Sequence, residues 1–190
     1  MRRPLMWLFI WVSLLIWWAV WFYPFIFRAP HFQKRPSITA VGPTRAGLLL
    51  ETAAIFLSFT WRNPIGSPPG LVRVALAMAF GSVATLLSWT SVTHLGKQFR
   101  VHAGLYHDHE LVRTGPYAVV RHPIYSSLLC MLLCTMLLVT RLEWAAVPLV
   151  IFIAGTEIRV YTEDKLLASR FGAQFESYRK RVPAYIPFLR

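Results

Sequence analysis

The sequence predicts an all-α, polytopic membrane bundle of about five transmembrane helices, forming a single integral membrane domain. Three observations predict it. The 190 residues are 56% hydrophobic and 15% aromatic with only 15% charged, and the mean hydropathy is +0.48, too apolar for the surface that a soluble fold of this size needs. Five apolar stretches recur along the chain, separated by basic or Pro- and Gly-rich segments. The excess of 20 Lys+Arg over 8 Asp+Glu sits between those stretches, where it suits anionic lipid headgroups and orientation in a membrane rather than nucleic acid.

The first stretch, residues 5–27, has 23 residues and spans about 35 Å as a helix. Its basic start resembles a signal peptide, but the apolar part is too long and no small-residue cleavage site follows, so a retained helix is expected. Trp7, Trp11, Trp17, Trp18 and Trp21 partly suit interfacial belts. A loop carrying Pro30, Pro36, Pro43, Arg28, Lys34, Arg35 and Arg45 leads to the second stretch, residues 46–61. That stretch is short and holds Glu51, a buried acid that needs a partner which the sequence does not name.

RNPIGSPPG turns the chain into the third stretch, residues 71–95. After a polar segment come the fourth, residues 124–140, and the fifth, residues 142–161, separated almost only by Arg141, which predicts a tight antiparallel helical hairpin. Cys130 and Cys134, four apart, read as small buried apolar residues rather than a disulfide. Over residues 162–182, Leu167, Phe171, Phe175, Tyr178 and Val182 form one stripe with Lys165, Arg170, Arg179 and Lys180 off it. This is an amphipathic helix, suited to an anionic membrane face or to packing back on the bundle.

With five spans, 15 basic residues fall on the side of the C-terminus and five, Arg2, Arg3, Arg62, Arg73 and Arg141, on the other. The positive-inside rule then assigns the polar segment before residue 124 and the C-terminal tail to the same, cytoplasmic side.

That polar segment, HELVRTGPYAVVRHPIY from His109 to Tyr125, is the candidate functional site. Irregular backbone beside a bilayer is costly unless it is buried in protein or lines a cavity. The segment supplies Tyr117, Arg121, His122 and Tyr125, with His102 and His107 nearby; the end of the fifth stretch supplies Glu157, Arg159, Glu163 and Asp164. Arg159 and Glu163 share a helix face and could bond each other or one ligand. An arginine there can grip a carboxylate with two parallel hydrogen bonds, and Glu163 could accept from an ammonium. Pro123 suits the first turn of the fourth span, whose amides would face the segment. Arg113 and Arg121 also fit as positive-inside anchors, and His31, His94 and His107 as structural or solvated residues. The histidines lack metal-site spacing, so no metal is expected.

LVRTGPYAVVRHPIY, followed by RVYTEDKLLASRFGAQFESYRKRVPAYIPFL, resembles the isoprenylcysteine carboxyl methyltransferase family and, more broadly, the membrane methyltransferases that include the phospholipid N-methyltransferases. The resemblance covers residues 95–190. It implies transfer of a methyl group from S-adenosyl-L-methionine at the cytoplasmic face to a lipophilic or lipidated acceptor entering from the bilayer, with O-methylation of an isoprenylcysteine-like carboxylate as the expected reaction. It further implies cofactor contacts from His109, Glu110, Leu111, Val112, Tyr117, His122, Pro123, Ile124, Tyr125 and Glu163, a looser one from His102, and Arg159 as the residue that holds the acceptor. Two positions depart from the pattern. Ser127 stands where the family usually has glycine, and Glu163-Asp164 replaces a Glu-Glu pair; both are expected to reshape the pocket. An NADPH-dependent membrane reductase related to sterol reductases and a non-catalytic membrane accessory protein are the alternatives.

Overall fold

A computed structural model describes residues 2–28, 38–39, 41–64, 67–99, 104–105 and 110–189. The described residues form α1 (Arg2–Phe27), α2 (Val41–Thr60), α3 (Leu71–Leu95), α4 (Pro123–Val139), α5 (Ala146–Phe171) and α6 (Ala173–Arg179). A two-residue ribbon, β1 (Ile38–Thr39) antiparallel to β2 (Gly104–Leu105), ties the α1–α2 connection to the one that follows α3. The chain is an all-helical integral membrane protein. The segments Pro4–Phe27, Leu71–Leu95 and Leu142–Phe171 are each long and apolar enough to cross a membrane. α4 is apolar but has 17 residues, and α2 carries Arg45 and Glu51 within its 20.

The helices run up and down. The Asn63 and Arg141 amides donate to Val139 and Trp61 carbonyls, and Arg73 Nη2 donates to Thr140 O at 2.8 Å. The end of α2, the start of α3, the end of α4 and the start of α5 therefore share one end of the bundle. Trp7 and Ile10 of α1 pack there with Leu138 and Val139, while Phe25 meets Phe99 at the other end, ring centroids 5.5 Å apart. The polar segment and the C-terminal tail lie together at that second end, as the charge count predicts.

Small residues set the packing. Ala77, Gly81, Ala84 and Ser88 form a buried stripe on α3, against which α4 and α1 lie; such stripes let helices approach closely where lipid removes the hydrophobic drive. α2 lies along α5. A Cβ added to Gly47 would stand 2.6 Å from Gly155 O, and one added to Gly155 would stand 2.7 Å from Gly47 O, so the two backbones touch there. Phe152, Met131, Leu132 and Trp21 fill the core between the layers.

Two expectations are corrected and a third, the partial fit of the α1 tryptophans to interfacial belts, is refined. α4 and α5 are chain neighbours joined through a 3-10 turn, Leu142–Trp144, yet each packs chiefly on α3 or α2 rather than on the other, so they are not a tight hairpin. The fifth stretch does not end at residue 161: α5 continues to Phe171 because nothing breaks it before Gly172 (φ 50). The stripe predicted for one amphipathic helix is thus split between α5 and α6, and Phe175 and Tyr178 turn inward to the bundle. Finally, the tryptophans of α1 are not all belt residues. Trp18 Nε1 donates to Thr135 Oγ1 at 3.2 Å and Trp21 Nε1 to Ser127 Oγ at 3.1 Å, because an indole N–H buried in apolar surroundings needs an acceptor.

Candidate active site

The segment from Glu110 to Thr114 is irregular; Glu110 is exposed, and Leu111 and Val112 are half-buried. Gly115 opens a 3-10 turn, Gly115–Ala118, with φ 58. Any side chain at Gly115 would run into His94, whose Nε2 lies 2.4 Å from an ideal Cβ. Steric room as well as backbone conformation thus requires glycine there, and His94 is a structural neighbour of the turn. Tyr117 is buried with its hydroxyl directed at Ser91 O on α3, 3.5 Å away; its carbonyl accepts from Tyr178 of α6 at 2.5 Å. Tyr117 therefore docks the turn between α3 and α6, and none of its hydrogen bonds reaches Glu163. Burial raises its hydroxyl's pKa well above the usual value.

His122 precedes α4, and Pro123 takes the first helical position, where its missing N–H and fixed φ are accommodated. The tail closes over this corner. The Arg121 and His122 amides donate to Pro183 and Ala184 carbonyls, both at 2.8 Å, and Ser126 Oγ donates to Tyr185 O. Tyr185 in turn donates to Glu157 Oε1 on α5 at 2.9 Å. Segment and tail meet as the sequence predicts, through backbone pairing that side-chain pattern does not encode.

At the centre, His122 lies between two consecutive carboxylates of α5. Its Nε2 is 2.8 Å from Asp164 Oδ1 and its Nδ1 is 3.3 Å from Glu163 Oε2. Two carboxylates facing both nitrogens favour the doubly protonated ring. Burial alone lowers its pKa, but the hydrogen bonds and negative charges of Asp164 and Glu163 outweigh that and lift it to about 9. Arg121 Nη2 reaches Asp164 Oδ2 at 2.9 Å, and its Nη1 reaches Arg179 O at 3.3 Å and Val182 O. Arg121 therefore joins the helix pair to the tail rather than standing free as a membrane anchor.

Tyr125 donates to Glu163 Oε1, and the Arg159 Cζ stands 4.6 Å over the Tyr125 ring, a cation–π contact. Arg159 does not pair with Glu163 as its helix spacing allows. Its Nη1 donates to Glu51 Oε2 of α2 at 2.5 Å, and Thr156 Oγ1 donates to Glu51 Oε1 at 2.9 Å. That identifies the partner the sequence left open. The signal was present in retrospect: Gly47 precedes Glu51 by four residues on α2, and Gly155 precedes Arg159 by four on α5. Because α2 and α5 run antiparallel, Arg159 lies level with Gly47 and Glu51 level with Gly155, and each glycine leaves room for the charged residue of the other helix.

Arg121, His122 and Arg159 thus offset Glu51, Glu163 and Asp164 in a continuous network. Its members are nearly sealed, except that the Glu163 side chain keeps 26% exposure. Ile124 is half-buried and its carbonyl accepts from Ser127 Oγ at 2.7 Å. Ser127 accepts from Trp21 of α1, and Asp164 is integral to the network. His102 and His109 lie outside the described residues. Among the described residues, no group of three or more His, Cys, Asp and Glu is arranged to hold a metal ion.

The profile of the isoprenylcysteine carboxyl methyltransferase family matches residues 76–169, from α3 through the network on α5. The chain is 37% identical over 82 residues to the protein-S-isoprenylcysteine O-methyltransferase of Schizosaccharomyces pombe, covering 43% of this chain and 35% of that one. It is 31% identical over 121 residues to protein-S-isoprenylcysteine O-methyltransferase B of Arabidopsis thaliana, covering 63% and 58%. It is also 32% identical over 133 residues to the cobalt-zinc-cadmium resistance protein CzcN of Cupriavidus metallidurans, covering 68% and 53%. The chain thus spans between 35% and 58% of the length of these relatives. On the family profile and these relatives, the chain belongs to the isoprenylcysteine carboxyl methyltransferase family.

Proposed function

We propose that this protein is an S-adenosyl-L-methionine-dependent methyltransferase that O-methylates the carboxylate of a lipophilic, isoprenylcysteine-like acceptor at the cytoplasmic membrane face. The observation that carries the choice of acceptor is the placement of His122 between the Asp164 and Glu163 carboxylates. An amine acceptor has to lose a proton to an unprotonated base within reach, and the carboxylates Glu51, Glu163 and Asp164 are already engaged by Arg159, Tyr125, His122 and Arg121. Here the histidine at the centre of the site is held protonated by Asp164 and Glu163. A carboxylate arrives ionised and needs no base.

The residues fit the donor. Glu163 is the one carboxylate of the network with substantial exposure, at 26%, and can accept from an ammonium. The irregular segment before Tyr117 lies at the same end of the bundle. S-adenosyl-L-methionine supplies an electrophilic methyl group on a sulfonium. What the chain supplies is position: Arg159 holds the acceptor carboxylate, the Tyr125 ring supports the guanidinium, and Glu163 orients the donor's ammonium. The new bond forms between acceptor oxygen and methyl carbon, the electron pair of the broken bond stays on sulfur, and no proton moves. Bringing an aligned pair to within about 3–3.5 Å is the larger part of such catalysis.

The surroundings support the orientation. Arg113, Lys165, Arg170, Arg179, Lys180 and Arg181 are exposed at the end of the bundle that holds the site, as suits an anionic cytoplasmic leaflet.

The test is transfer of labelled methyl from S-adenosyl-L-methionine by purified protein in detergent to a panel of lipophilic carboxylates, thiols and amines, with a labelled-NADPH arm for reduction. Transfer to carboxylates alone is expected. Preference for an amine, or label arriving only from NADPH, overturns the reading. Arg159→Ala is expected to abolish turnover with donor affinity nearly intact, and Glu163→Ala to weaken donor binding by calorimetry.

A further inference from the structure

Burying a carboxylate is costly, and an apolar residue of similar volume often serves packing better than a buried ion pair. Glu51 is 1% exposed, lies on a helix outside the residues 76–169 that the family profile matches, and is held at both oxygens. Thr156 occupies one and Arg159 the other. The arginine it grips is itself confined. A Cβ on Gly47 would fall 2.5 Å from Arg159 Cγ, so the stem runs against bare α2 backbone, and the Tyr125 ring lies 4.6 Å beneath Cζ. These contacts restrict the side chain, and Glu51, by taking Nη1, ties one arm of the fork to α2.

We propose that Glu51 is a positioning residue for the transfer, setting the orientation of the Arg159 guanidinium that receives the acceptor carboxylate. The inference rests on the acceptor reading above. Glu51 touches neither reactant in this scheme; it acts through Arg159. Tyr125 extends the same order to the donor side, because its ring supports Arg159 while its hydroxyl bonds Glu163. An arginine free to swing would still attract a carboxylate, but would present it at many angles. Misplacement by about 1 Å costs on the order of 100-fold in rate.

The test uses the full chain in detergent and measures kcat, acceptor KM and donor affinity for three variants. Glu51→Gln keeps the shape and one acceptor oxygen but loses the charge. It is expected to lower kcat/KM for a lipophilic carboxylate by about 10- to 100-fold, with donor Kd unchanged within about twofold, since Glu163 is untouched. Glu51→Asp keeps the charge and withdraws the oxygens by about one bond length; it should fall between wild type and Gln, and it serves if Gln does not fold. The exchange E51R/R159E restores an ion pair between α2 and α5 with the cation on the wrong helix. It is expected to recover the thermal midpoint lost in the single variants without recovering transfer. A folded Glu51→Gln with wild-type kcat and acceptor KM, or an exchanged pair that regains turnover, overturns the proposal and makes the pair purely structural. If wild-type protein binds the donor but methylates no carboxylate, the acceptor reading falls and this inference with it. Normal wild-type transfer with unaffected variants removes the inference alone.

Discussion

Arg159 Nη1 lies 2.5 Å from Glu51 Oε2 although the two residues are 108 positions apart in the chain. This contact joins α2 to α5 at the depth where their glycines touch, and both side chains are nearly inaccessible, 9% and 1% exposed. Removing one partner of such a pair leaves an uncompensated charge, which costs about 3–5 kcal/mol, whereas replacing both with neutral groups of similar size is often close to neutral. Arg159→Ala is therefore expected to unfold more readily than the double variant Arg159→Met with Glu51→Gln. Denaturant titration of the two in the same detergent decides it; a double variant no more stable than Arg159→Ala would contradict the ion-pair account.

His122 gives the molecule a pH dependence whose direction follows from its two carboxylate neighbours. Its pKa in the fold, about 9, exceeds the ordinary 6.5. The folded state therefore binds the proton more tightly than the unfolded one. The resulting stabilisation is fully present below about pH 6.5 and is lost as pH rises through about 9, and a shift of this size corresponds to about 3 kcal/mol. Thermal unfolding between pH 6 and pH 10 is expected to show a midpoint that falls across this window in the wild type and less so in His122→Gln. Parallel curves for the two proteins would remove His122 as the source.

How far the sequence could be read depends on which physical signal carried each part. Long apolar stretches separated by Pro, Gly and basic residues are local signals, and they delivered five helices and the end of the bundle that holds the site. Tyr125, His122 and Glu163 stand out because their residue types and spacing are unusual beside a membrane. Pairings were not legible. Helix periodicity offers Arg159 a partner four residues on, but Glu51 comes from another helix and wins by geometry that only the Gly47–Gly155 contact creates. The end of α5 was missed for a similar reason: Glu163 and Asp164 look like the polar start of a new element until His122 and Arg121 are seen to satisfy them. Tryptophan content suggested interfacial belts because composition does not reveal that Thr135 and Ser127 face the indoles across the bundle.

Ser127, a departure from the family pattern, forms its hydrogen bonds to Trp21 and within α4. Its hydroxyl accepts from Trp21 Nε1 at 3.1 Å and donates to Ile124 O at 2.7 Å, on the side of α4 turned away from the His122 network. Ser127→Gly is expected to orphan the buried indole N–H and to cost about 1–3 kcal/mol, with an added helix-propensity cost of about 0.5 kcal/mol. Donor affinity should stay within about twofold, since nothing at the site moves. Calorimetric titration with S-adenosyl-L-methionine beside a thermal melt separates the two effects. A large change in affinity at unchanged stability would return Ser127 to the pocket.

Gly155 offers the sharpest test of how the site is assembled. An added Cβ would lie 2.7 Å from Gly47 O, 2.9 Å from Leu50 Cβ and 3.1 Å from the Glu51 amide nitrogen. All three belong to α2, and two are backbone atoms that cannot turn aside. Gly155→Ala must therefore push α2 from α5, and overpacking of this kind costs about 1–3 kcal/mol. Separation also lengthens the Glu51–Arg159 contact, which spans the same crossing. The variant should lose methyl transfer more steeply than it loses stability, and donor binding should be affected least, because Glu163 and His122 lie nearer the end of α5 and are bound to α4 and the tail rather than to α2. A Gly155→Ala protein that keeps full transfer at a lowered thermal midpoint would show that the helices can part without disturbing Arg159.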